Sequence, residues 1–169
     1  MLLFGVTQEA PMIRAFAPAL GDFRGTGEMR DGTELRCSFS GKEMIPGVCY
    51  GLRLEVTTAE SEGQMMNVYF VLSQDHSEHL EIQYFDGREQ LHALHAVDSP
   101  MLSEHPAGRV FSFEGQRPNG TVIRFHFDLV SSERIDITMD SNTTRSTTVE
   151  ERCCLRLERV HESIMGSAA

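Results

Sequence analysis

From Gly21 to Leu157 the apolar residues of this chain fall on every second position, in one short run after another. No other feature limits its fold so tightly. Leu35, Cys37 and Phe39 alternate with Glu34, Arg36 and Ser38, and Met66, Val68, Phe70 and Leu72 repeat the pattern further on. A period of two is that of a half-buried β-strand. Turn sequences separate the runs: Arg30-Asp31-Gly32, Pro46-Gly47, Asp86-Gly87 and Pro118-Asn119-Gly120. The pattern amounts to about ten strands, each next to its neighbour in sequence. A meander of that length must close on itself or leave two edges unpaired, and closure removes both. The chain therefore reads as one domain over residues 1–169. It is all-β, a single antiparallel up-and-down barrel. Residues 8–20, with Ala10, Met12, Ile13, Phe16, Ala17 and Leu20, carry a weak helical pattern. A short helix there, broken at Pro18, would lead into the first strand and plug one barrel end.

Loop lengths set the register. With Arg30-Asp31-Gly32 as a three-residue loop, Phe23 lies opposite Phe39, Gly25 opposite Cys37 and Gly27 opposite Leu35. A slip of one residue would turn Arg24, Thr26 and Glu28 inward instead. The Pro46-Gly47 turn pairs Phe39 with Leu54, Gly41 with Leu52 and Cys37 with Val56, leaving Ser40 beside Arg53 outside. A two-residue Asp86-Gly87 turn pairs Ile82 with Leu91, Leu80 with Ala93 and Glu81 with His92, which turns His95 inward. The loop at 118–120 pairs Phe113 with Phe125 and Phe111 with Phe127 inside, and Glu114 with Arg124 outside. Ile135, Ile137 and Met139 line the next strand; Val149, Cys153, Leu155 and Leu157 line the last.

Composition excludes some functions. Fifteen Lys and Arg against 25 Asp and Glu leave a formal charge of −10. A nucleic-acid or anionic-membrane surface needs a basic patch, so neither partner is expected. No stretch approaches the roughly 18 apolar residues of a membrane span, so no membrane insertion is expected. Met1-Leu2-Leu3-Phe4-Gly5-Val6 is apolar but lacks a basic flank, which does not suit a secretion signal. The sequons at Asn119 and Asn142 then carry little weight. Cys37, Cys49, Cys153 and Cys154 form no Cys-x-x-Cys pair and no zinc spacing with a histidine. They are expected to be free thiols in a reducing cytoplasm, with no metal site. His92-x-x-His95 fails as a metal pair because residues three apart on a strand face opposite sides. His76 and His79 fall in a polar loop. There is no phosphate loop, nucleophile elbow, HExxH or pair of carboxylates set apart by environment, so no catalytic residue is assigned.

A meander of this kind opening with Gly21-x-Phe23-x-Gly25-x-Gly27 resembles the calycin-like barrels. These include lipocalins, fatty-acid-binding proteins, nitrobindin-type haem barrels and lipocalin-like bacterial families of unassigned function. Nitrobindin-like proteins open with Gly-x-Trp-x-Gly-x-Gly; here Phe23 stands in the tryptophan position, and the chain has no Trp. The resemblance implies the barrel fold and, in the haem branch, haem as cofactor with a histidine near the C-terminus on the iron. His161 is the histidine in that position.

The registers turn Glu43, Tyr50, Thr58, Tyr84, His95 and Glu151 inward among apolar side chains. A barrel of this size fills its interior or encloses one small ligand. An apolar pocket orients its ligand with a few polar groups. Tyr50, Tyr84, His95 and Glu43, with Phe70, Gly25 and Gly27, make the candidate ligand site. Two explanations fit the inward glycines: a bend at a barrel corner, or room for a ligand. Functionally, the chain is expected to bind a small apolar or amphipathic molecule. The alternatives are an enzyme using the same cavity, with His95 as acid or base or with haem, and a packed structural module that could pair as a homodimer.

Overall fold

The computed structural model describes residues 12–60, 63–75, 79–87, 92–97, 105, 108–143 and 151–162. Ten antiparallel strands close into a barrel: β1 (Gly21–Met29), β2 (Glu34–Ile45), β3 (Cys49–Thr58), β4 (Gln64–Gln74), β5 (Leu80–Phe85), β6 (His92–Val97), β7 (Arg109–Gln116), β8 (Thr121–Leu129), β9 (Arg134–Thr143) and β10 (Glu151–Arg159). Each strand pairs with its sequence neighbours, and β10 pairs with β1, from Phe23–Arg159 to Met29–Cys153. The seam leaves no edge unpaired. Of the expected lining residues, Ala10, Leu91 and Val149 lie outside the described residues, as do His76 and the side chain of Glu151.

The registers expected at three hairpins hold. Phe23 faces Phe39, Gly25 faces Cys37 and Gly27 faces Leu35. Phe39–Leu54, Gly41–Leu52 and Ser40–Arg53 hold across β2 and β3, with a bulge between Glu43 and Ile45. Phe113–Phe125, Phe111–Phe127 and Glu114–Arg124 hold across β7 and β8. Gly32, Gly47 and Gly120 each adopt positive φ in their turns, as these tight connections require.

The β5–β6 connection corrects the sequence-based register. Gly87 has a positive φ of 80°, as a turn glycine should. Tyr84, however, faces His92, a register that a two-residue turn at Asp86-Gly87 cannot give. Ile82 therefore faces Leu94 and Glu81 faces His95. The offset from the expected pairing is an odd number of residues, so the whole of β6 turns over. Leu94 is fully buried and His95 stands outside.

The helix corrects the second expectation. It is a 3₁₀-helix over Met12–Ala19 and runs through Pro18 instead of breaking there. Pro18 removes one donor from the last turn, yet Leu20 N–H still closes that turn on the Ala17 carbonyl. Ile13, Phe16 and Ala19 are fully buried. Phe16 meets Phe111 and Phe127 edge-on at 5.2 and 5.4 Å, so the helix plugs the barrel end where β1 begins.

Candidate functional site

The barrel interior is the candidate site, and aromatic rings occupy most of its depth. Phe70 packs edge-on against Phe125 at 5.1 Å and Phe127 at 5.9 Å. Phe113 meets Phe127 at 6.0 Å, and Phe39 bridges Phe23 and Phe127. Such edge-on pairs add to simple burial. All six of these rings are at most 1% exposed.

Gly25 and Gly27 do not open space here. A Cβ on Gly25 would overlap the Arg156 carbonyl oxygen, and one on Gly27 would overlap the Cys154 carbonyl oxygen. Both glycines let β10 cross close over β1, so the bend explains them. A Cβ on Gly41 would lie 2.5 Å from the Ala19 carbonyl oxygen, where the plug helix ends. The volume that three inward glycines release is taken by backbone.

The polar candidates separate. Tyr50 is buried near the plugged end; burial raises its pKa, Glu43 adds to the rise and Arg14 opposes it. Glu43 itself is exposed and points its carboxylate at the Gly47 N–H, 3.5 Å away. Tyr84 is buried at the opposite end, its ring 5.8 Å from Phe70 and 5.7 Å from Phe125. Burial and the nearby Asp86 push its hydroxyl up to about 12. Thr58 is half-buried beside a depression of about 500 Å³ lined by Gly32, Thr33, Glu34 and Glu60. His95 does not belong to the site: it lies on the outer wall, mostly exposed, 3.4 Å from Glu81. His161 is also outside, 2.6 Å from the Glu133 carboxylate. The structure thus brings Tyr84 and Phe70 together, sets Tyr50 at the far end, and leaves His95 and His161 outside.

The two barrel ends differ. One is sealed by the plug helix, held by Arg159. That guanidinium donates to the carbonyls of Leu20 at 2.8 Å, Pro18 at 2.9 Å and Ser132 at 2.6 Å, and lies 4.5 Å over the Phe23 ring. Among the described residues the other end has no helix. Its inward residues include the half-buried Met29, Met66 and Met139, together with Tyr84, Ile123 and Cys153. Above them Arg117 reaches Asp86 at 3.4 Å, and its buried Nε has no hydrogen-bond partner. An unmet buried donor costs on the order of 1–3 kcal/mol.

Sequence analysis missed a second polar arrangement, on the outer wall. Ser112, His126 and Asp140 face outward yet are at most 7% exposed. The Ser112 hydroxyl sits 2.7 Å from His126 Nδ1, and Nε2 sits 3.4 Å from Asp140. Arg152 donates to the other carboxylate oxygen at 2.8 Å. Burial pulls the Asp140 pKa up, but the bonds from His126 and Arg152 outweigh it and hold it below the ordinary value. With the serine buried and its partners engaged, the row straps β7 to β10. The 118–120 loop register already implied that Ser112 and His126 are opposed.

Among the described residues no helix could cross a membrane, and no three His, Cys, Asp or Glu side chains gather as metal ligands. No known protein family matches the sequence, and no curated protein does. Solved structures do resemble the fold. Rv2717c from M. tuberculosis superposes with a TM-score of 0.65 at 10% identity, over 90% of this chain and 99% of that one. The S-type phycobiliprotein lyase CPES from Guillardia theta gives 0.58 at 9% identity, over 92% of this chain and 95% of that one. At such identities the likeness concerns the fold alone.

Proposed function

We propose that this barrel binds a small amphipathic molecule at its unplugged end. The observation that carries this is the contrast between the ends. Aromatic rings and a latched helix fill one; unbranched methionines close the other. Methionine has three rotatable bonds and a polarizable sulfur, so it repacks around a guest at little cost. The unmet Nε of Arg117 offers a hydrogen bond to a polar head beside Tyr84, while Phe70 and Phe125 floor the apolar part. Each methylene buried there would contribute about 0.8 kcal/mol. The ligand sits at the mouth, since rings occupy the depth.

The test is titration with an anionic naphthalene dye, read by fluorescence and by native mass spectrometry. Saturable one-to-one binding is expected. Met66→Phe or Met139→Phe should weaken it about tenfold by filling the mouth, and Arg117→Leu should weaken it similarly by removing the donor. No saturable binding, or binding indifferent to all three changes, would overturn the proposal. A second reading, a non-binding structural barrel, is favoured by the close ring packing around Phe70, and it predicts that same indifference.

A further inference from the structure

Sulfur is unevenly placed inside this barrel. Among the described residues, every inward-facing sulfur lies toward the unplugged end: Met29, Cys37, Met66, Met139 and Cys153. Elsewhere the large buried side chains of the inner wall are Leu, Ile, Val, Phe and Tyr. Three of the five share one row. Cys153 of β10 is directly opposed to Met139 of β9 on one side and to Met29 of β1 on the other. Directly opposed side chains on one face have Cβ atoms about 4.5–5.5 Å apart. A thiol between two flexible thioethers can therefore bring three sulfurs to one point.

Cys37 adds a fourth. Its strand, β2, approaches β10 across β1, because Gly25 and Gly27 place no side chain between them. Cys37 is close enough to Cys153 for the two to interact electrically. A cysteine thiol, with an ordinary pKa of about 8.5, is mostly protonated at pH 7.

We propose that Met29, Cys153 and Met139, with Cys37 beside them, form a site for a soft monovalent d¹⁰ cation, Cu(I). Thiolate and thioether are the ligands such an ion prefers over nitrogen and oxygen. The charge balance suits the surroundings. Cu(I) displaces the proton of Cys153, forming a Cu–S bond and releasing one H⁺ to solvent, with no change of oxidation state. One cation, one thiolate and neutral thioethers sum to zero, and a neutral complex is the form least costly to hold in an apolar interior. The site does not depend on the amphipathic ligand proposed above, although both use the same end.

The experiment is an anaerobic titration of the full chain with Cu(I) against bathocuproine disulfonate, with proton release measured alongside. One equivalent should be withdrawn from the competitor, releasing about one proton per cation near pH 7. Cys153→Ser should lower affinity about 100-fold, and the volume-conserving double variant Met29→Leu/Met139→Leu about tenfold. Cys154→Ser, on the outer face beside Cys153, should change affinity less than about twofold. Circular dichroism checks that each variant folds; the leucine double variant keeps the test decisive if the serine variant does not. No withdrawal from the competitor, withdrawal that depends on Cys154, or affinity unchanged in the leucine double variant would overturn the site. Dye binding by the same variants separates its failure from that of the amphipathic-ligand proposal.

Discussion

Arg159, the last residue of β10, donates its guanidinium to the carbonyl of Pro18 near the end of the plug helix, 2.9 Å away. A second bond reaches Leu20, and the same group lies over Phe23. A short 3₁₀-helix has little stability of its own and leaves its final carbonyls unpaired. Arg159 supplies their partners. Arg159→Leu should cost about 2–4 kcal/mol in urea unfolding, from charge-assisted hydrogen bonds and a cation–π contact. Amide exchange should accelerate at Ile13–Ala19 well before it does in β8. A loss below about 0.5 kcal/mol would show that the plug holds without its latch.

Gly25→Ala tests the bend. Its new Cβ would overlap backbone of β10, which cannot swing aside as a side chain can. Destabilisation of at least about 2 kcal/mol is expected in thermal or chemical melting. A variant as stable as the parent would mean that space exists there after all.

Phe113 is fully buried and packs against Phe127. Phe113→Ala should cost about 3–5 kcal/mol. The adjacent Glu114, on the outer face, bonds Arg124 at 2.6 Å; it is partly exposed, so Glu114→Gln should cost no more than about 1 kcal/mol. Comparable losses at the two positions would invalidate the facing of β7.

Asp140 gives a pH dependence. Its folded pKa is held below the ordinary value of 3.8, so its ionised form stabilises the fold at pH above that value. The increment is lost as pH falls through the folded pKa. Parent and Asp140→Asn should therefore differ most in stability near neutral pH, and the difference should shrink below about pH 4. A difference independent of pH from 7 to 3 would remove the charge from the explanation.

Much of the barrel could be read from the sequence. Where a turn was short and both strands alternated cleanly, as around Gly32, Gly47 and Asn119-Gly120, loop length and burial together fixed each register. At Asp86-Gly87 the same logic failed. The turn residues were recognised, but the true register differs by an odd number of residues, and an odd error inverts a strand; His95 became a false candidate and Leu94 was overlooked. The inward glycines were ambiguous because a missing side chain marks either room or close approach, and only the path of β10 distinguishes them. The Arg159 latch joins residues at opposite ends of the chain and leaves no local pattern. The Ser112–His126–Asp140 strap was implicit in the registers, but polar residues on an outer face do not announce that they are buried.

Closure at the β1–β10 seam also governs when this protein can fold. The latch spans 139 residues from Leu20 to Arg159, and β1 has only one of its two neighbours until β10 exists. During synthesis the chain can form its hairpins in order but cannot complete the barrel until residue 159 has left the ribosome. Contacts so distant in sequence make folding slow, and the open ladder meanwhile presents pairing edges to other nascent chains. The barrel that ends with no free edge is, for the whole of its translation, a sheet with two.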